Sequence, residues 1–306
     1  MDRGKQGFVA ELVVAAVLAA TPAWIQAQNM PVAGPLVTTE WAAAHLDDSG
    51  MVVLHVGREG TYATEHIPGA RFVDLMDVAD PDSRSRSGLV LELPDPTLVE
   101  RTLEGLGISD NSTILVYADR SISAATRVVF TLDWAGLGER TLLLDGGLEA
   151  WKADGRMVTS EVPTVTPGEL TVHHRGELVV DADWVGGRAG SDGLSVLDGR
   201  ARRFYEGERE DRGLAGHIPG AGSTPIEEFL RPSGEFKSKT DLQAILTEAG
   251  VRPGDTVVTY CHIGQRASAV AFVARLLGHE VKVYDGSWED WAARGLPAET
   301  SAPRHR

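Results

Sequence analysis

The chain repeats itself once, and that repeat limits what it can fold into. EHIPGA at 65–70 returns as GHIPGA at 216–221. DNSTILVY at 110–117 returns as GDTVVTY at 254–260, and LDGGLEAW at 144–151 returns as YDGSWEDW at 284–291. Matches in one order, roughly 140–150 residues apart, mark a duplicated domain and not a solenoid, whose units are far shorter. The 306 residues suit two domains, each long enough to bury a core. The segment 159–177, with TSEVPTVTPGE, carries two prolines and little periodicity and reads as the linker. The halves are then 36–158 and 178–300.

Each half alternates short apolar runs with helical stretches. Thr256–Tyr260 and Val281–Tyr284 are short and β-rich, as buried parallel strands are. Between them Ala267–Leu277 predicts a helix ended at Gly278. Thr240-Asp-Leu-Gln243 predicts the capped start of another helix, closed by Gly250, and Asp95-Pro96 does the same in the first half. Strand–helix–strand alternation predicts an α/β fold: two tandem domains, each a parallel sheet flanked by helices.

Lys and Arg number 29 against 44 Asp and Glu, a formal charge of −15. That excludes a nucleic-acid protein working by broad phosphate neutralisation and disfavours an anionic membrane surface. An anionic substrate would need a local cluster of cations. At the start, Arg3 and Lys5 precede the uncharged run Leu12–Ala20, followed by Thr21-Pro22 and Ala27. This pattern predicts a signal peptide over 1–27 and a periplasmic or secreted protein, with no membrane partner after processing. The run is too short to span a bilayer. The alternative is a cytoplasmic protein with an N-terminal helix.

The chain has one cysteine, Cys261. It cannot form an internal disulfide or a multi-cysteine metal site, and neither a metal nor a cofactor is expected. Cys261 directly follows the strand TVVTY, and His262-Ile263-Gly264-Gln265-Arg266 lead into the helix. Ligands of α/β sheets bind at carboxyl ends of strands, where unpaired amides and the helix dipole favour an anion. A sulfur there is expected to have a lowered pKa and to act as nucleophile. Gly264 lets the loop curl with its amides inward, and Arg266 adds a fixed positive charge.

YCHIGQRAS, the two HIPGA copies, the duplication and YDGSWEDW resemble the tandem-domain rhodaneses, the thiosulfate and 3-mercaptopyruvate sulfurtransferases. The resemblance implies that the second domain holds the reactive cysteine. In the first, Ala118 occupies the place of Cys261, followed by Asp119-Arg120-Ser121. It implies a Cys261 persulfide that passes sulfur from a donor to cyanide or a thiol, with Gly264 and Arg266 shaping the catalytic loop. The partners are then a small donor and acceptor, with any protein acceptor undetermined. By the same resemblance Arg203 and Arg212 bind the anionic donor, as guanidinium forks suit sulfonates and carboxylates; otherwise they belong to a solvated basic segment. His262, Ile263 and Gln265 complete the expected donor site.

Around it, Asp198 is placed to orient the loop through Arg266 or the loop amides, and Arg200 and Arg202 are read as structural or peripheral. His66 and His217, repeated in the half without a nucleophile, are read as turn-tying residues. Trp291, matched by Trp151, is read as core, and Trp288 as a pocket wall. His55 stands where the family often has an acid, which suits a scaffold role for the first half. Related phosphatases place five residues between cysteine and arginine; here there are four, a cradle sized for one sulfur. The loop C-H-I-G-Q-R, and Met76 where a second acid is common, favour thiosulfate over 3-mercaptopyruvate. A non-catalytic sulfur carrier is the alternative from another class.

Overall fold

The computed structural model describes residues 34–301 together with Met1. The leader expected over 1–27 therefore lies outside the described residues, Met1 aside. Among the described residues, no helix is long and apolar enough to cross a membrane.

The first repeat runs β1 (Leu36–Val37), α1 (Thr39–His45), β2 (Met51–Val56), α2 (Glu59–Thr64), β3 (Arg71–Val73), α3 (Ser83–Arg86), α4 (Pro96–Gly105), β4 (Thr113–Ala118), α5 (Ile122–Leu132), β5 (Thr141–Leu144) and α6 (Gly147–Ala153). The second runs β6 (Val179–Val180), α7 (Ala182–Gly186), β7 (Leu194–Asp198), α8 (Arg202–Tyr205), β8 (Gly222–Ser223), α9 (Lys239–Glu248), β9 (Thr256–Tyr260), α10 (Gln265–Leu276), β10 (Val281–Tyr284) and α11 (Ser287–Ala293). Each forms a five-stranded parallel sheet, in orders β1-β5-β4-β2-β3 and β6-β10-β9-β7-β8. The expected α/β architecture is present. The central strands β4 and β9 point their carboxyl ends at Ala118 and Cys261.

The helix ends show local chemistry at work. Asp95 caps α4 through the Thr97 amide, with Pro96 in the first turn, as its sequence predicts. The start of α9 differs from expectation. Ser238, not Thr240, is the cap, because its Oγ reaches the Asp241 amide at 3.2 Å and draws the helix two residues further back.

The two copies share a core. One apolar cluster runs from Val52 and Val116 through α5 and α10 to Val257 and Val283. An interface this apolar behaves like a domain interior. The copies also cover each other reciprocally. The Leu93 amide donates to Asp285 at 2.8 Å, and the Phe236 amide donates to Asp145 at 2.9 Å. Asp285 and Asp145 occupy the same position after β10 and β5.

The HIPGA histidines tie turns, as expected. His66 Nδ1 meets the Tyr62 carbonyl at 2.6 Å, and His217 Nδ1 meets that of Tyr205 at 2.7 Å. Each ring stacks on the same tyrosine. Trp151 and Trp291 are buried and donate to the carbonyls of Met157 and Pro297.

A buried tyrosine in each central strand reads out the difference between the copies. Tyr260 donates to Asp198 at 2.8 Å and accepts from the Ile218 amide. Tyr117 accepts from the Ile67 amide and meets His55 Nδ1 at 2.9 Å. Burial lowers the His55 pKa to about 4, so its ring stays neutral and Nδ1 can accept a hydrogen bond from the Tyr117 hydroxyl. An unfolded histidine titrates near 6.5, so the folded state resists protonation that the unfolded state accepts. Stability is then fully present above about pH 6.5 and declines as pH falls toward 4, by up to about 3 kcal/mol. His55→Gln is expected to flatten that part of the urea-midpoint profile. An unchanged profile would remove His55 as its cause.

Candidate active site

Cys261 sits at the end of β9 and is 1% exposed. The amides of Ala267, Ile263 and Arg266 direct their N–H groups at its sulfur. Gly264 makes this possible. It caps α10 with φ +81°, a left-handed conformation that side chains disfavour. Thr259 Oγ1 donates to the Ala267 carbonyl at 2.9 Å and fixes the first turn of α10 against the strand.

The expected lowered thiol pKa is corrected by the depth of the site. Burial pushes the Cys261 thiol up, and the charge of Asp198 adds to the rise. The three amides oppose both without cancelling them. Local motif reading captures the amides but not the burial.

The turn between β10 and α11 closes the loop from below. The Cys261 amide donates to Ser287 Oγ at 3.2 Å, and Ser287 Oγ donates to the Tyr284 carbonyl. The Trp288 and Glu289 amides donate to the carbonyls of Cys261 and His262. Ser287 holds φ +51°. Among the described residues the other non-glycine positive φ values belong to Leu91 and Arg212. All three border this loop or the segments covering it, and backbone strain of this kind gathers at functional sites.

A strap over residues 206–216 covers the other side. His262 Nδ1 pairs with the Asp211 carboxylate. Burial raises Asp211, but His262, Arg200 and Arg212 together hold its carboxyl below the usual range. Trp288 is fully buried beneath the strap, donating to the Asp211 carbonyl at 3.0 Å with the Arg200 guanidinium 4.0 Å above its ring. It is thus a floor more than a pocket wall.

Several predicted residues act differently from expectation. The Arg266 side chain turns away to Glu227 at 3.3 Å, so its contribution at the sulfur is the amide. Asp198 grips Arg200 with both oxygens, at 3.0 and 2.7 Å among its contacts, and not Arg266 or the loop amides. Arg200 is fully buried and also donates to the Gly216 carbonyl at 2.6 Å. Arg202 is peripheral, paired with Glu228, so it and Arg200 hold the structural or peripheral places expected of them. Gln265 opens α10, half-buried, and its carbonyl accepts from Ser268.

The basic residues do gather on one side. Arg212 is 46% exposed at its side chain and pairs with Glu289 at 2.7 Å. Arg203 is exposed, with its guanidinium 5.2 Å from the Phe204 ring, and Phe204 meets His262 edge-on at 4.8 Å. Sequence reasoning missed Arg209, which lies over the other reach of Phe204 at 5.5 Å. It also missed Asp211, Ser287 and Glu289. The density of charge in EREDR before the second HIPGA was the available signal for Arg209 and Asp211.

Two domains of one fold, one carrying a cysteine in an amide cradle and the other an alanine, define a rhodanese-like pair. The model of the rhodanese-like domain matches residues 38–154 and again 181–294, and the chain belongs to that family of sulfurtransferases. It is 34% identical over 280 residues to the sulfur carrier protein TtuD of Thermus thermophilus, covering 84% of this chain and 93% of that one. It is 33% identical to a probable 3-mercaptopyruvate sulfurtransferase of Pseudomonas aeruginosa, over 84% and 94% of the two chains. A thiosulfate sulfurtransferase of Azotobacter vinelandii is 31% identical, over 81% and 90%. Among solved structures, wild-type EanB shares the fold with a TM-score of 0.77 at 24% identity, over 88% of this chain and 70% of that one.

Proposed function

We propose that the protein is a thiosulfate sulfurtransferase working through a persulfide on Cys261. The observation that carries this reading is a lone cysteine at the end of β9, its sulfur facing amides of the Ile263 loop and of the first turn of α10, in one copy and not the other. The Cys261 thiolate attacks the outer sulfur of thiosulfate. The sulfur–sulfur bond of the donor breaks, and sulfite leaves with the electron pair. The terminal sulfur of the new persulfide carries the negative charge, which the amides of Ile263, Arg266 and Ala267 stabilise as an oxyanion hole does. Cyanide or a thiolate then attacks that sulfur and returns the thiolate. Two half-reactions on one nucleophile predict ping-pong kinetics.

Thiosulfate is favoured by the loop C-H-I-G-Q-R and by Met76 in place of a second acid. Arg203, Arg209 and Arg212 supply the local cations that a chain of charge −15 otherwise lacks. The deciding measurement compares thiosulfate with 3-mercaptopyruvate as donors in steady state, with cyanide as acceptor. A higher kcat/KM for 3-mercaptopyruvate would overturn the donor assignment. Slow turnover with cyanide but fast transfer to a protein would favour a sulfur carrier, the reading suggested by the Thermus relative and by the depth of Cys261.

The arginines give a sharper test. Arg212→Ala should raise the donor KM about tenfold, the loss of one charge-assisted bond of about 1.5 kcal/mol. Arg203→Ala should cost less, about threefold, because an exposed charge is screened by solvent. The acceptor half-reaction should hardly change. A double variant with unaltered donor KM would reduce the anion site to the loop amides.

A further inference from the structure

We propose that Arg127, from the domain without a nucleophile, is a positioning residue that sets the sulfur cradle of the other domain. The proposal rests on Cys261 being the sulfur-bearing group.

Arg127 lies in α5, in the stretch ISAATRVVFTL that otherwise has no charge. Its side chain is 1% exposed. At the same distance after the strand, α10 carries Val270, so the cation belongs to one copy alone. A buried guanidinium is costly unless it is paired, so its partners define its task. They are all on the far side of the domain boundary or on the segment that crosses it. Nη1 donates to Asp285 Oδ1 at 2.6 Å. Nη2 donates to the Leu91 carbonyl, where the chain turns with φ +66°.

These contacts converge under Gly264. A Cβ added to Gly264 would stand 2.9 Å from Arg127 Nη1, 3.0 Å from the Asp285 carbonyl and 3.1 Å from its Oδ1. The arginine and its carboxylate partner are thus packed against the residue whose left-handed turn aims the loop amides. The second Asp285 oxygen accepts from the Leu93 amide, and the neighbouring Val90 amide donates to Glu289 at 2.9 Å. One fork therefore clamps three things: the covering segment of the first domain, the turn after β10, and the floor of the cradle. Its charge is held by Asp285 and its reach stops at the loop backbone. The hydrogen bonds of Arg127 reach neither the sulfur nor Arg203, Arg209 and Arg212, so it acts through Gly264.

The test separates positioning from mere support. R127K keeps the buried cation but cannot hold Asp285 and Leu91 together, and it decides the matter where R127M is too unstable to purify. Single-turnover sulfite release from thiosulfate is expected to fall about 10- to 100-fold, the effect of a small misplacement of reacting groups. Donor KM should stay within about twofold, unlike the arginines of the strap. Independently of turnover, the pH midpoint for alkylation of Cys261 by iodoacetamide should move upward, as amides that oppose its protonation lose their aim. A support role would lower the melting temperature and leave that midpoint alone. Unchanged sulfite release with an unchanged midpoint in folded R127K would overturn the proposal, as would a rise in donor KM at constant kcat. An inactive wild type would refute the sulfurtransferase reading, while the alkylation midpoint would still report on Arg127.

Discussion

Cys261→Ser is expected to lose sulfur transfer by a factor on the order of 10⁴ or more, the scale seen when a covalent nucleophile is removed. A serine hydroxyl has no comparable anion near neutral pH and cannot form a persulfide. The fold should survive, because the residue is small and its backbone amide still has Ser287 to bond. Mass spectrometry of the native protein after thiosulfate should show one added sulfur, on its one cysteine. Adding Ala118→Cys to the serine variant should not restore activity. In the first domain the loop position after the strand is Asp119, whose carboxylate is buried and takes the Arg58 amide at 3.0 Å. His262 holds the matching position in the second domain. Activity of the serine variant within about a hundredfold of native would sink the persulfide mechanism.

The largest effect on stability should come from Arg200→Met. Asp198 and Arg200 are both fully buried, and Asp198 also accepts from Tyr260. Cutting one partner strands a buried carboxylate, which costs about 3–5 kcal/mol. Typical domains have only about 5–15 kcal/mol in total. The Gly216 contact and the stacking over Trp288 are lost as well. A urea titration should show the midpoint shift while the slope holds. A change below about 1 kcal/mol would show that the buried pair does not carry this stability. Arg200→Lys should recover part of the loss, since an ammonium cannot grip both carboxylate oxygens.

Most of the fold was legible because the duplication let each half check the other. TVVTY and ILVY, matched in position, became the central strands, and the HIPGA histidines behaved alike in both copies. The catalytic loop was legible for a different reason: cysteine, glycine and a helix start sit within a few residues, so local sequence holds the geometry. What failed was whatever depended on the other domain or on depth. Arg266 was read as adding its fixed charge to the loop, yet Glu227, far off in the chain, takes its side chain and leaves only its amide at the sulfur. The thiol was expected to be acidic, but burial beneath two covering segments is no property of a motif. Arg127 was invisible as a site residue because its partners lie across the domain boundary, although a lone arginine in an apolar helix was a usable sign.

The reciprocal covering of the two copies has an evolutionary reading. Leu93 reaching Asp285 and Phe236 reaching Asp145 are what a two-fold symmetric dimer of identical subunits would show. Fusing such subunits replaces an encounter between molecules with a tether, and the effective concentration of one half at the other rises to about the millimolar range. Once joined, the halves no longer needed to be identical. A small cavity of about 110 Å³ remains beside Ala118, roofed by Leu230, Ser233 and Gly234. It lies at the position that Cys261 holds in the other copy. The symmetry is broken in the helices that follow the two central strands: α5 carries Arg127 where α10 carries Val270, so one half holds a buried cation that the other does not repeat.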